Sequence, residues 1–259
     1  MPGTSSRISM PDLLLQVWAT PGLIWLLLAI SVAGIVRGFT GFGTALVFVP
    51  VAGIFLLPQT VVGVMTLTGI VSTTALLPRA WGQADRREVA ILALAALLTV
   101  PFGLWLMQAL EAVTIRWIVA AVAALTLAAL VVGWRFSGIV SRPMLVAIGA
   151  VAGVIGGMTG LTGPVVILFY LAGQSAAQSV RANTILFLAA LDVVIAVNLL
   201  SRGDLEATTG LLALTLAVPY FITSLIGQSL FDPRFQRLYR WAAYSVIALA
   251  VVSGLPLWS

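Results

Sequence analysis

Gly34-Ile-Val-Arg-Gly-Phe-Thr-Gly-Phe-Gly-Thr44 breaks one long apolar run, and Gly153-Val-Ile-Gly-Gly-Met-Thr-Gly-Leu-Thr-Gly163 breaks another 119 positions later. Gly34, Gly38, Thr40 and Gly41 recur as Gly153, Gly157, Thr159 and Gly160, so the two stretches read as copies of one motif. Backbone freed at membrane depth is tolerated only where it is buried in protein or lines a cavity. Interrupted apolar segments in matching places of two halves are the sequence pointer to a carrier's binding site.

The surroundings are membrane-like. Of 259 residues, 61% are hydrophobic and only 8% charged, against about 25% charged in a soluble domain. The chain is read as one integral membrane domain: a leader or interfacial segment at 1–20, repeat 1 at 21–138 and repeat 2 at 139–259. Residues 11–18 are expected either as a short helix in the interface, with Trp18 at headgroup level, or as a frayed leader. No small-residue cleavage site follows a short apolar core, so a removable signal peptide is not expected.

Apolar runs divide each half alike. The first has an interrupted pair at about 22–36 and 43–57, then runs at about 60–78, 88–109 and 114–134. The second has about 144–158 with 162–173, then 179–200, 205–230 and 237–257. The halves also match at Val100-Pro101-Phe102 with Val218-Pro219-Tyr220, Gln108 with Gln228, and Arg116-Trp117 with Arg240-Trp241. The fold class is an all-α polytopic membrane protein of about eight to ten helical segments. Each repeat holds an interrupted or re-entrant helix pair plus three transmembrane helices. Pro101 and Pro219 are expected to bend their helices, as hinges or as static kinks.

Segment length and loop charge set the orientation. Residues 22–57 as one helix would measure about 54 Å, against a hydrocarbon core of about 30 Å. The pair must therefore turn back near Gly38–Gly43. With that turn, Arg79, Arg86, Arg87, Arg135, Arg142, Arg181, Arg234, Arg237 and Arg240 share one face, and only Arg7, Arg116 and Arg202 the other. A continuous crossing would give seven against five. Nine against three fits the positive-inside rule, makes the repeats inverted and puts both termini outside the cytoplasm.

The chemistry available is narrow. The chain has no cysteine, no histidine and eight acidic residues, which removes thiolate, zinc and Ser-His-Asp chemistry and leaves no paired acid and base for an intramembrane enzyme. No cofactor or metal is expected. The net charge of +5 comes from thirteen arginines and no lysine, placed at the ends of apolar runs. No basic cluster interleaved with aromatics points to nucleic acid.

What remains suits an anion. Helices restarting after each break present unpaired N–H groups and a positive dipole end. The candidate substrate-binding residues are Arg37, Gly38, Thr40, Gly41, Gly43 and Thr44 in the first break, and Thr159, Gly160, Thr162 and Gly163 in the second. Gly34, Gly38, Gly153 and Gly157 suit close helix packing equally well. Arg37 stands inside the first break, where repeat 2 has Gly156. An intramembrane arginine is costly and marks a substrate or gating role, unless it snorkels or forms a fixed pair with Asp192. Asp192, the one acidic residue deep in an apolar run, is either that counter-ion or a carboxylate that takes up a coupling proton. Its counterpart is Thr73. Thr73, Asn183, Gln108 and Gln228, with Asn198, Thr66 and Thr68, either line a cavity or make interhelical hydrogen bonds.

Gly38-Phe-Thr-Gly-Phe-Gly-Thr-Ala-Leu-Val-Phe-Val-Pro50, Gly157-Met-Thr-Gly-Leu-Thr-Gly-Pro164 and a short arginine-rich loop near 79–88 resemble the TauE/SafE family of sulfite exporters, also called the toluene sulfonate uptake permease family. The likeness covers nearly the whole chain. Family members often have a longer Gly-Gly-Pro-Pro-like run where this chain has Thr162-Gly163-Pro164-Val165. The resemblance implies a prokaryotic inner-membrane carrier for sulfite or small organosulfonates such as sulfoacetate, working without ATP. Export is the expected direction, with uptake of organosulfonates or a passive anion channel as alternatives. The expected partners are the small anion, the lipid bilayer and coupling protons; a homodimer is one oligomeric state left open.

Overall fold

Every regular element is helical among the residues that the structure, a computed structural model, describes: 10–40, 43–74, 77–133, 141–166, 168, 177–230 and 236–257. In the first half these are α1 (Met10–Trp18), α2 (Leu23–Thr40), α3 (Thr44–Phe55), α4 (Pro58–Thr74), α5 (Leu77–Gln83), α6 (Arg86–Ala109) and α7 (Ala112–Val132). The second half has α8 (Arg142–Thr159), α9 (Ala177–Arg202), α10 (Ala207–Ser229) and α11 (Gln236–Gly254). Helices satisfy their own backbone groups, which is what a chain in lipid requires. Large apolar side chains such as Leu98, Leu125, Val132 and Leu249 stand exposed on the outside, and this outward face accounts for the composition. The molecule is a multi-pass membrane protein.

Among the described residues, five helices are long and apolar enough to cross a membrane, or six if the bent pair α1–α2 is one span: α6, α7, α8, residues Ala182–Arg202 of α9, and α10. Helix α3 has 12 residues, which reach only about 18 Å. It cannot span alone, and it packs back against α2, as segment length requires. At the other end of α2, the chain bends by 80° into α1, with Gly22 at φ 69° in the turn. So 11–18 is a helix, and Trp18 is exposed. The second arm of the second break begins as helix at 164–166; half of the predicted 162–173 run falls outside the described residues. Arg135 and Arg234 lie outside them too.

Two expectations need correction. The first is that helix α5 occupies Leu77–Gln83, where apolar run 60–78 was expected to give way to a loop. Pro78 suits a helix start, since its missing N–H has no partner there in any case. Asp85 then starts α6 by accepting the Arg87 and Glu88 amides at 3.0 and 3.1 Å, an ordinary N-cap.

The second correction concerns how the halves match. Helix α2 packs on α10, and α8 packs on α6, each across the two halves. Glycines permit the close approach: a Cβ on Gly38 would lie 2.6 Å from the Gly227 Cα, and one on Gly157 would lie 2.8 Å from the Val100 carbonyl and 3.4 Å from the Gly103 Cα. Likewise Gly34 sits under the Thr223 hydroxyl and Gly153 under the Thr99 hydroxyl. Thr99 also donates to the Ala150 carbonyl at 2.9 Å. The equivalent residues are therefore Thr99-x-x-x-Gly103 and Thr223-x-x-x-Gly227, 124 positions apart. That spacing agrees with Arg116-Trp117 and Arg240-Trp241. It disagrees with Pro101 and Pro219, which fall on different turns, and with Gln108 and Gln228. Small residues at the contact fix the register, and prolines elsewhere on the helix do not.

Candidate functional site

The first break is shorter than the sequence suggests. Helix α2 continues through Thr40, so Arg37 belongs to its last turn and not to the break itself. Gly43 turns the chain at φ 99°, a conformation that favours glycine. Thr44 then opens α3, whose backbone ladder starts with the Val47 amide on the Gly43 carbonyl at 3.2 Å. The amides of residues 44–46 precede that ladder and have no intrahelical acceptor. The Thr44 hydroxyl lies 3.0 Å from the Tyr220 hydroxyl of α10.

The second break is built differently. Gly160, at φ 75°, caps α8 with its amide on the Gly156 carbonyl, and the Thr162 amide returns to the Gly160 carbonyl at 3.0 Å. The Thr159 hydroxyl donates to the Ile155 carbonyl at 2.7 Å and accepts the Leu161 amide at 3.2 Å. Its one proton is spent on the turn. Thr162, Gly163 and Pro164 follow and face inward.

Both breaks border one cavity. Its wall includes Arg37, Gly43 and Thr44 from the first break, Thr162 and Gly163 from the second, Thr68, Gly69 and Thr73 from α4, Asp192 from α9, and Tyr220. Arginine, aspartate, hydroxyls and the start of a helix thus surround one space. Such a space can hold a small anion against a fixed cation and hydrogen-bond donors, with a carboxylate in reach of a proton. Asp192 is buried, and Gly69 makes room for it: a Cβ there would lie 2.9 Å from the Asp192 carboxyl carbon. Arg37 and Asp192 face the same cavity, where the guanidinium charge acts on the carboxyl.

Other candidates are placed elsewhere. Gly38 is spent on the contact with α10. Thr159 and Gly160 hold the second turn without lining this cavity. Gly41 lies outside the described residues, as does the side chain of Thr40. Gln108 is exposed and donates to Asp204 at 2.8 Å, and Gln228 is exposed at the end of α10. Asn183 is buried and ties α9 to the start of α6, accepting the Asp85 amide at 2.7 Å and donating to Glu88 at 3.4 Å. Asn198 bonds within its own helix. Gln108 and Asn183 thus bond between elements, the alternative to lining a cavity.

Tyr220 and Gly69 are among the wall residues that sequence reasoning missed. Tyr220 is almost wholly buried, and at the spacing of 124 its counterpart is Ala96. A phenol where the other repeat has a methyl is a departure from symmetry of the same kind as Arg37 and Asp192. It was hidden because Tyr220 was aligned with Phe102.

The family model described as Sulfite exporter TauE/SafE matches residues 26–254. No curated protein and no solved structure matches the chain.

Proposed function

The chain belongs to the TauE/SafE sulfite exporter family, and from that premise we propose that it is a secondary carrier that exports sulfite or a two-carbon organosulfonate such as sulfoacetate. Its family is one of transporters of sulfur-containing anions and not of enzymes. One observation carries the reading: both glycine-rich breaks, Arg37 and Asp192 border a single cavity. Arg37 supplies the charge and a planar fork of donors for sulfonate or sulfite oxygens. Thr44, Tyr220 and Thr162 supply hydroxyls, and the first amides of α3 add a helix N-terminus.

In this reading the repeats are inverted, the face rich in arginine is cytoplasmic, and both termini lie outside the cytoplasm of a prokaryotic inner membrane. Access alternates as one group of helices moves against the other about the two breaks. Asp192 takes up and releases the coupling proton, since an ionisable residue in a membrane span facing a cavity is suited to a relay.

Counterflow in proteoliposomes tests the proposal. Vesicles loaded with unlabelled sulfite should accumulate labelled sulfite transiently, and Arg37→Ala should abolish this while the protein still folds. Saturable flux surviving in Arg37→Ala removes the substrate role. Equilibration without counterflow makes the protein a passive channel, and the same protocol with sulfoacetate separates the two substrates. Asp192→Asn should keep counterflow but lose acceleration by a pH gradient; an unchanged response removes the coupling role.

A further inference from the structure

A second pocket, open to the surface, lies between α3, α7 and the start of α4. Leu56 and Pro58 from the α3–α4 turn, Arg116 near the start of α7, and Gly254 at the end of α11 form one end of it. All are element ends, so this rim lies at a membrane face. Val49, Val119 and Thr159 line it further along their helices, and the walls there are aliphatic. The Thr159 hydroxyl is already spent on its own turn. Trp117, next to Arg116, is exposed at the same level, where interfacial aromatics gather.

Arg116 is under-used. Its Nη2 reaches the Gly254 carbonyl only at 3.5 Å, and its buried Nε has no hydrogen-bond partner among the described residues. A guanidinium stays charged and carries five N–H donors. Leaving a buried donor of a charged group unmade is expensive. Gly53 keeps space beside the arginine stem, since a Cβ there would lie 3.6 Å from the Arg116 Cγ. A cation at the mouth with hydrocarbon below fits an amphiphile. A small hydrated anion would gain one partner and lose its water against aliphatic walls.

We propose that this slot takes an acyl chain of an anionic phospholipid, with the lipid phosphate seated on Arg116. The bound chain would extend toward Thr159 and so buttress the turn that shapes the second break. This proposal is independent of which anion is carried.

Native mass spectrometry of the purified chain tests it, with phosphatidylglycerol and phosphatidylcholine of identical acyl chains as probes. The protein should prefer phosphatidylglycerol, and Arg116→Ala should cut that preference about tenfold, the worth of a charge-assisted hydrogen bond. Gly53→Leu should fill the slot and lose both lipids with the arginine intact. Glycerol 3-phosphate should fail to displace phosphatidylglycerol from the wild-type protein. Undiminished preference in Arg116→Ala, or lipid retained in Gly53→Leu, overturns the proposal. Displacement by glycerol 3-phosphate overturns it as well, and makes Arg116 a site for free phosphate. Should Arg116→Ala fail to fold, the other two arms still decide.

Discussion

Gly38→Ala is the sharpest probe of how the two halves are held together. The new Cβ would lie 2.6 Å from the Gly227 Cα and from the Ser224 carbonyl, both backbone atoms that no rotamer can move. Restoring ordinary contact at 3.4–4 Å requires α2 to back away from α10 by about 0.8–1.4 Å. Overpacking of this kind costs about 1–3 kcal/mol. For a chain of this size that lowers Tm by roughly 2–12 °C. Arg37 is one residue away and moves with α2, and a misplacement near 1 Å can cost about a hundredfold in a positioned reaction or binding step. The control is Gly210→Ala on α10, where a Cβ meets nothing within 4 Å and the change should be neutral or slightly stabilising. Melting in detergent and counterflow in proteoliposomes read the two effects. If Gly38→Ala melts with Gly210→Ala and transports like wild type, glycine contact does not set the position of α2, and the reasoning fails.

Two further substitutions separate scaffold from site. Tyr220→Phe removes the partner of Thr44 at the cavity wall; stability should fall by only about 0.5–1.5 kcal/mol, while half-saturation for the transported anion rises several-fold, and an unchanged value would make the phenol structural only. Asn183→Ala leaves the Asp85 amide without its acceptor and should cost about 1–3 kcal/mol, read as a lower Tm with unchanged half-saturation. A changed half-saturation there would put Asn183 back on the transport path.

The breaks, the helix pattern and the two charged residues that line the cavity were legible because each violates its surroundings. Clustered glycines in an apolar run, Arg37 in a helix and Asp192 in another are all costly in lipid, and cost leaves a mark in sequence. Which threonine faces the cavity was not legible. Thr159 and Thr162 are three positions apart in the same motif, yet the first is consumed by its turn and the second lines the wall. That distinction depends on where Gly160 bends the chain, a matter of φ and not of composition. Tyr220 was obscured by a misplaced anchor: proline is conspicuous, so Pro101 and Pro219 drew the comparison, whereas Thr99-x-x-x-Gly103 and Thr223-x-x-x-Gly227 make the contacts. Helix α5 went unseen because seven residues carry too little periodicity to register.

The exchange of partners between halves also bears on synthesis. Gly38 of α2 waits for Gly227 of α10, which is 189 residues later in the chain. At about 5–20 residues per second that is a delay of roughly 10–40 s. Meanwhile α2 and the short α3 must stay in the translocation apparatus or among lipids, with their glycine face and opened backbone unpaired. A carrier built this way is not finished until α10 has been made.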